Sequence, residues 1–196
     1  MTPHPSTAGT LLIREVRAGD GAAIERLLGG LDAQSRYRRW FTGGVDIAGA
    51  ERWAAHPERV GAVGLLALAG EEPVGHAVLV PSTDARAEVA FEVAAPWRRH
   101  GIAGALLERL LELAVDRGLR EVYAEVLTEN ADMLAVLREH GGQTERRAGG
   151  VVTVTLTTRA GSRFADRAPD DRGGACVVRA DSASVIAADE AGGRGA

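Results

Sequence analysis

Between Glu88 and Leu127 the chain reads as strand, glycine-containing turn, helix and strand, and this succession constrains the fold more than any other feature. On an extended strand from Glu88 to Val93, Glu88, Ala90 and Glu92 share one face while Val89, Phe91 and Val93 share the other. From Ile102 to Arg117 the residues Ala103, Leu106, Leu107, Leu110, Leu113 and Ala114 fall at helical spacing and make a continuous apolar stripe. Gly118 follows in the C-cap position, and Glu121 to Leu127 returns to a strand pattern. A crossover of this kind is right-handed and pairs its two strands in parallel. The centre of the molecule is therefore expected to be a parallel βαβ unit.

The flanking segments extend that unit in both directions. Leu11 to Val16 reads as a strand, and Gly21 to Leu31 as a helix with Ile24, Leu27, Leu28 and Leu31 at helical spacing. Two short helices are expected over Ala33 to Phe41 and Ile47 to Ala55. Val63 to Ala69 and Val74 to Val80 are strands joined through Gly70-Glu71-Glu72-Pro73. After the βαβ unit come a helix from Ala131 to His140 and a strand from Val151 to Thr157. The expected class is α/β (α+β): a mixed, mostly antiparallel twisted sheet with a central parallel pair and helices on both faces. Residues 1–10 read as a flexible leader, 11–160 as one domain, and 161–196 as a low-complexity tail, poor in large apolar residues and expected to be disordered.

Composition narrows the function. Hydrophobic residues make up 45%, enough for a sizeable core, but aromatics are only 4%, so that core is built from Leu, Val and Ala. A net charge of −4 argues against general nucleic-acid binding. All 23 basic residues are arginine, which with the abundance of Ala and Gly fits a GC-rich bacterial coding sequence. The single cysteine, Cys176, excludes an internal disulfide and a Cys-based metal site, and no metal is expected. There is no signal-peptide pattern and no apolar run near the ~18–20 residues of a membrane span, so a cytoplasmic protein is expected.

The chemistry is concentrated in the turn Pro96-Trp97-Arg98-Arg99-His100-Gly101-Ile102-Ala103-Gly104-Ala105. A loop that enters a helix through small residues exposes backbone N–H groups at the positive end of the helix dipole, a ready site for a pyrophosphate. Arg98 and Arg99 add positive charge there, and neither a P-loop nor a dinucleotide fingerprint fits the spacing. Arg98-x-x-Gly101-x-Ala103 resembles the [QR]-x-x-G-x-[GA] signature of the GNAT acetyltransferases, and residues 11–158 follow that family's order of elements. The resemblance implies the GNAT fold, with about six or seven strands, and acetyl-CoA as co-substrate. It also implies that Arg98, Arg99, His100, Gly101, Ile102, Ala103, Gly104 and Ala105 hold the pyrophosphate, that the backbone of Phe91, Glu92 and Val93 holds the acetyl and pantetheine groups, and that Asn130 touches the pantetheine arm. Asn130 is equally suited to capping the helix that follows it.

Within the family, Ser35-Arg36-Tyr37-Arg38-Arg39-Trp40-Phe41 and Ala87-Glu88-Val89-Ala90-Phe91 are similar to segments of bacterial Pat-type protein-lysine acetyltransferases. That similarity implies Glu88 as the general base, with Glu92 as a second carboxylate, and Arg36, Tyr37 and Arg39 as a positive, aromatic surface for a protein acceptor. A small amine or a peptide N-terminus is the alternative acceptor, and a non-catalytic acetyl-CoA-binding regulator the further one. Two positions depart from the family pattern: Leu137 stands where many members carry a tyrosine acid, and Gly142 where a phenylalanine is usual.

Overall fold

The computed structural model describes residues 10–40, 54–83, 85–158 and 176–179. Strand β1 (Thr10–Glu15) leads into helices α1 (Gly21–Gly29) and α2 (Ala33–Trp40). Strands β2 (Val63–Ala69), β3 (Glu72–Thr83) and β4 (Arg86–Val93) then run as an antiparallel meander. Helix α3 (Ile102–Asp116) crosses over to β5 (Glu121–Leu127), and α4 (Ala131–Glu139) precedes the β6 (Gln143–Ala148) and β7 (Val151–Thr157) hairpin. The sheet order is β6-β7-β5-β4-β3-β2-β1-β8, where β8 is Cys176–Arg179. The expected βαβ unit is present, with β4 and β5 parallel. The helix expected over Ile47 to Ala55 lies, except at its last residues, outside the described residues.

Two strands exceed the sequence expectation. In β6 all six residues are exposed, so no apolar alternation announced it. β8 comes from the segment expected to be unstructured, and pairs antiparallel with β1, Leu11 opposite Val178 and Ile13 opposite Cys176. A sheet edge with unpaired N–H and C=O groups recruits such a segment readily.

The pleat sorts side chains onto two faces with different fates. On one face, Ala77 and Leu79 of β3, Val89 and Phe91 of β4, and Val122 and Ala124 of β5 pack against Leu106, Leu107 and Leu110 of α3 and Leu134 and Leu137 of α4. On the other face, Ile24, Leu27 and Leu28 of α1 cover Leu66 of β2. Helix α2 continues that second layer but contains no buried residue. Its Trp40 packs, partly buried, against the α1 layer, and its polar contacts build the site.

Candidate functional site

Strands β4 and β5 pair over three residue pairs only, Arg86 with Glu121, Ala87 with Val122 and Glu88 with Tyr123. Beyond Glu88 they part: β4 stays with β3 as far as Val93 opposite Gly75, while β5 stays with β7 as far as Leu127 opposite Val151. The β5-facing backbone edge of residues 89–93 is thus left outside that ladder in the middle of a sheet.

At the end of β4 the chain passes through a 3₁₀ turn, Ala95–Trp97, to the start of α3. Arg99 has φ 65° and Gly101 has φ 76°, so the backbone coils left-handed twice just before the helix. That geometry gathers successive N–H groups into an anion-binding concavity. The first helical bond at this end runs from Ala105 N–H to Gly101 O at 3.0 Å, so the N–H groups of Ile102, Ala103 and Gly104 point out of the helix end. A Cβ built on Gly101 meets nothing within 4 Å, so open space lies over the turn. These features fit a diphosphate.

Arg98 has a different place from the one expected. Its Nε donates to Val93 O at 3.4 Å, one Nη donates to Ser35 Oγ, and the same nitrogen lies 3.5 Å from Asp32. It ties the turn to the start of α2, where Asp32 accepts from both the N–H and the hydroxyl of Ser35 at 2.7 Å. His100 bends back onto its own turn, its Nδ1 donating to Arg98 O at 2.7 Å. Asn130 caps α4, accepting from Met133 N–H at 3.4 Å. Leu137 is fully buried in the α3–α4 core, with no proton to give. A Cβ at Gly142 would fall 2.6 Å from Leu137 O, so the backbone excludes a larger residue there.

On the α1–α2 face of the sheet, β3 and β4 form the floor of a cleft of about 380 Å³. The floor is His76, Val78 and Val80 beside Glu88, Ala90 and Glu92, and Arg39 and Trp40 of α2 form one wall. The two glutamates on this floor have opposite characters. Glu88 is half-buried, and burial raises its pKa, reinforced by the charge of Glu125 and opposed by Arg39. Glu92 is buried too, and burial alone would raise its pKa; the nearby Arg39 and His76, which also hydrogen-bond to it, reverse the direction and leave it lowered. Arg39 Nε donates to Glu92 Oε2 at 2.8 Å, and His76 Nδ1 lies 2.8 Å from Oε1. An ionised carboxylate only accepts, so His76 donates from Nδ1.

Sequence reasoning brought Glu88 and Glu92 to one face and to this cleft, but did not find His76. Alternation in β3 puts His76 with Val78 and Val80, and only the β3–β4 register, His76 opposite Glu92, makes the pair. The α2 residues also differ from the expected open positive surface. Arg39 is committed to Glu92, and Arg36 donates to Gly29 O at 2.8 Å, while Tyr37 is 42% exposed. Beside Glu88 on the same face of the sheet, Tyr123 of β5 lies under the Arg86 guanidinium at 4.7 Å.

The family model for the acetyltransferase (GNAT) family matches residues 31–141. No curated protein matches the chain. Among solved structures, the GNAT domain of S. lividans PAT is similar at 29% identity and a TM-score of 0.68, over 74% of this chain and 89% of that one. The protein yncA of Salmonella typhimurium, solved with acetyl-CoA, is 18% identical with a TM-score of 0.63, over 82% of this chain and 98% of that one. The spermidine N-acetyltransferase of Vibrio cholerae, solved with CoA and spermine, is 18% identical with a TM-score of 0.62, over 76% and 95%. With its parted β4–β5 pair, its left-handed turn at the head of α3 and this match over more than half its length, the chain belongs to the GNAT family of acetyl-CoA-dependent N-acetyltransferases.

Proposed function

We propose that the protein transfers the acetyl group of acetyl-CoA to a lysine amine on another protein, with Glu88 as general base, in the cytoplasm. The observation that carries the reading is the position of Glu88: half-buried in the cleft, with raised proton affinity, at the point where β4 and β5 separate. A lysine amine has a pKa near 10.4, so at neutral pH only about one in 2,500 molecules carries a free lone pair. A carboxylate whose proton affinity is raised by burial is a stronger base for removing that proton.

In this reading the N–H groups of Ile102, Ala103 and Gly104 hold the pyrophosphate, with Arg99 and Ala105 in the same turn. Arg98 and His100 shape the turn through Ser35 and the Arg98 carbonyl. The free backbone edge at Phe91, Glu92 and Val93 receives the pantetheine arm and orients the thioester over Ala90, and Asn130 borders the arm from the cap of α4. Glu92 acts by holding His76 and Arg39 in place. A protein acceptor is supported by the likeness to S. lividans PAT and by the exposed Tyr37 beside Arg36 on α2.

A polyamine or other small cationic amine is the second reading, favoured by charge. Arg39 is neutralised by Glu92, whereas Glu88 on the cleft floor has the charge of Glu125 near it. A CoA-release assay with bacterial acyl-CoA synthetases and a series of polyamines, read in parallel by acetyl-lysine mass spectrometry, separates the two. Acetyl-lysine on a protein acceptor supports the first reading; fast turnover of polyamines without it supports the second.

A further inference from the structure

We propose that His76 is a second proton acceptor of the acceptor cleft, its Nε2 receiving an N–H of the attacking amine while Glu92 and Arg39 hold the ring. The proposal rests on the reading of this cleft as the acceptor site with Glu88 as base.

Three observations converge on His76. It is 1% exposed, yet it lines the cleft rather than the helix-packed core. Its Nδ1 is spent on Glu92, so in the neutral ring Nε2 is the nitrogen that carries the lone pair. Among the described residues, Nε2 has no hydrogen-bond partner. A buried ring nitrogen left without a partner is unfavourable, and native structures rarely leave one unless a molecule from outside supplies the donor. The carboxylate behind it is itself anchored: Glu92 is buried, ionised and bound through its other oxygen by Arg39. A carboxylate that orients a histidine whose far nitrogen is left without a partner, on a residue that lines a cleft, is the arrangement of an activated base.

The proton balance of amide formation calls for such a group. An acceptor that enters as an ammonium releases two protons in becoming an amide. Glu88 takes the first, leaving the neutral amine. As that nitrogen bonds to the thioester carbon it becomes positive, and its second proton must leave. In the proposed step the N–H bond breaks toward His76 Nε2, its electron pair stays on nitrogen, and the C–S bond breaks with its pair going to sulfur. The resulting imidazolium is balanced by Glu92 and returns its proton to the departing thiolate. The proton on Glu88 passes to solvent. His76 and Glu88 suit this division, since they stand at diagonal corners of the floor with Val78 and Ala90 between them. Ala90 leaves room for the reacting atoms.

The test compares His76→Asn with Glu88→Gln in the full-length protein. Asparagine keeps a donor near the Nδ1 position for Glu92 and removes only Nε2, so the fold and the acetyl-CoA-induced rise in melting temperature are kept as controls. With an alkyl-amine acceptor, both variants are expected to lose on the order of 10²-fold in kcat, with the KM for acetyl-CoA unchanged. With methoxyamine, a weak base that enters already neutral, the Glu88→Gln loss should shrink toward wild type while the His76→Asn loss persists. A His76→Asn enzyme within twofold of wild type on both acceptors overturns the proposal. So does a His76→Asn loss that shrinks in parallel with that of Glu88→Gln, which would mean that His76 acts only through Glu88. A wild-type protein that acetylates no amine at all fails the reading of the cleft itself, and is told apart from the other failures by the missing wild-type rate.

Discussion

Arg39 and Glu92, 53 residues apart in sequence, meet at 2.8 Å, and their ion pair fastens α2 to the cleft floor. The helix has no fully buried side chain; of its residues Trp40 packs, partly buried, against the α1 layer. Removing Arg39 would leave the Glu92 charge buried and half-compensated. Arg39→Leu is therefore expected to destabilise the protein by about 3 kcal/mol, the lower end of the range for breaking a buried pair, because Arg39 keeps some contact with solvent. Urea denaturation measures this. The double variant Arg39→Leu, Glu92→Leu should lose less than the sum of the single changes, since it strands no charge.

Glu88→Gln is expected to lower turnover by about 10²–10⁴-fold with little change in acetyl-CoA affinity. Burial raises the Glu88 pKa, so wild-type activity should climb with pH as the carboxyl ionises, and the deficit of the variant should narrow at high pH, where more amine is neutral. Steady-state rates across pH test both limbs. A near-wild-type Glu88→Gln enzyme with an inactive Glu92→Gln enzyme would reassign the base.

Acetyl-CoA should stabilise the fold by about 2.7 kcal/mol at a hundredfold excess over its dissociation constant. Gly101→Val should abolish that shift, both because φ 76° suits glycine and because the new side chain would fill the open space above the turn. Thermal melts with and without acetyl-CoA decide it.

His140 links α4 to α3. Its Nδ1 lies 2.7 Å from Val136 O and its Nε2 3.4 Å from Glu108 Oε1. Hydrogen bonding to Glu108 leads the causes that raise its pKa, against the opposing effect of burial. The folded protein therefore binds this proton more tightly than the unfolded chain. The stabilisation is complete below the unfolded pKa of about 6.5 and is lost as pH rises through the folded value. The wild-type melting temperature should fall between about pH 6 and about pH 8 more steeply than that of His140→Gln.

What the sequence made legible follows from periodicity. Leu106, Leu107 and Leu110 announced α3 because they mark one side of a helix, and Glu88, Ala90 and Glu92 announced a shared face because a strand alternates. The ends of β2, β5 and β7 matched their expected bounds for the same reason. Contacts that cross elements were not legible. Arg39 read as a surface cation because its partner lies far along the chain on β4, and Arg98 read as a phosphate ligand because nothing local shows that Ser35 and Asp32 reach it. His76 is one polar residue in an apolar run, and only the β3–β4 register gives it Glu92. Strand β6, exposed throughout and polar but for Ala148, lacks the apolar signal by which strands are read.

The three residue pairs that join β4 to β5 make the sheet two panels on a short hinge, β8-β1-β2-β3-β4 on one side and β5-β7-β6 on the other. Helix α3 lies across both, touching β2, β3 and β4 on the first panel and β5 on the second. It serves as the strut of the hinge, and its head is the turn at Gly101. Whatever is seated on that turn is therefore held by the same element that spans the gap between the two panels.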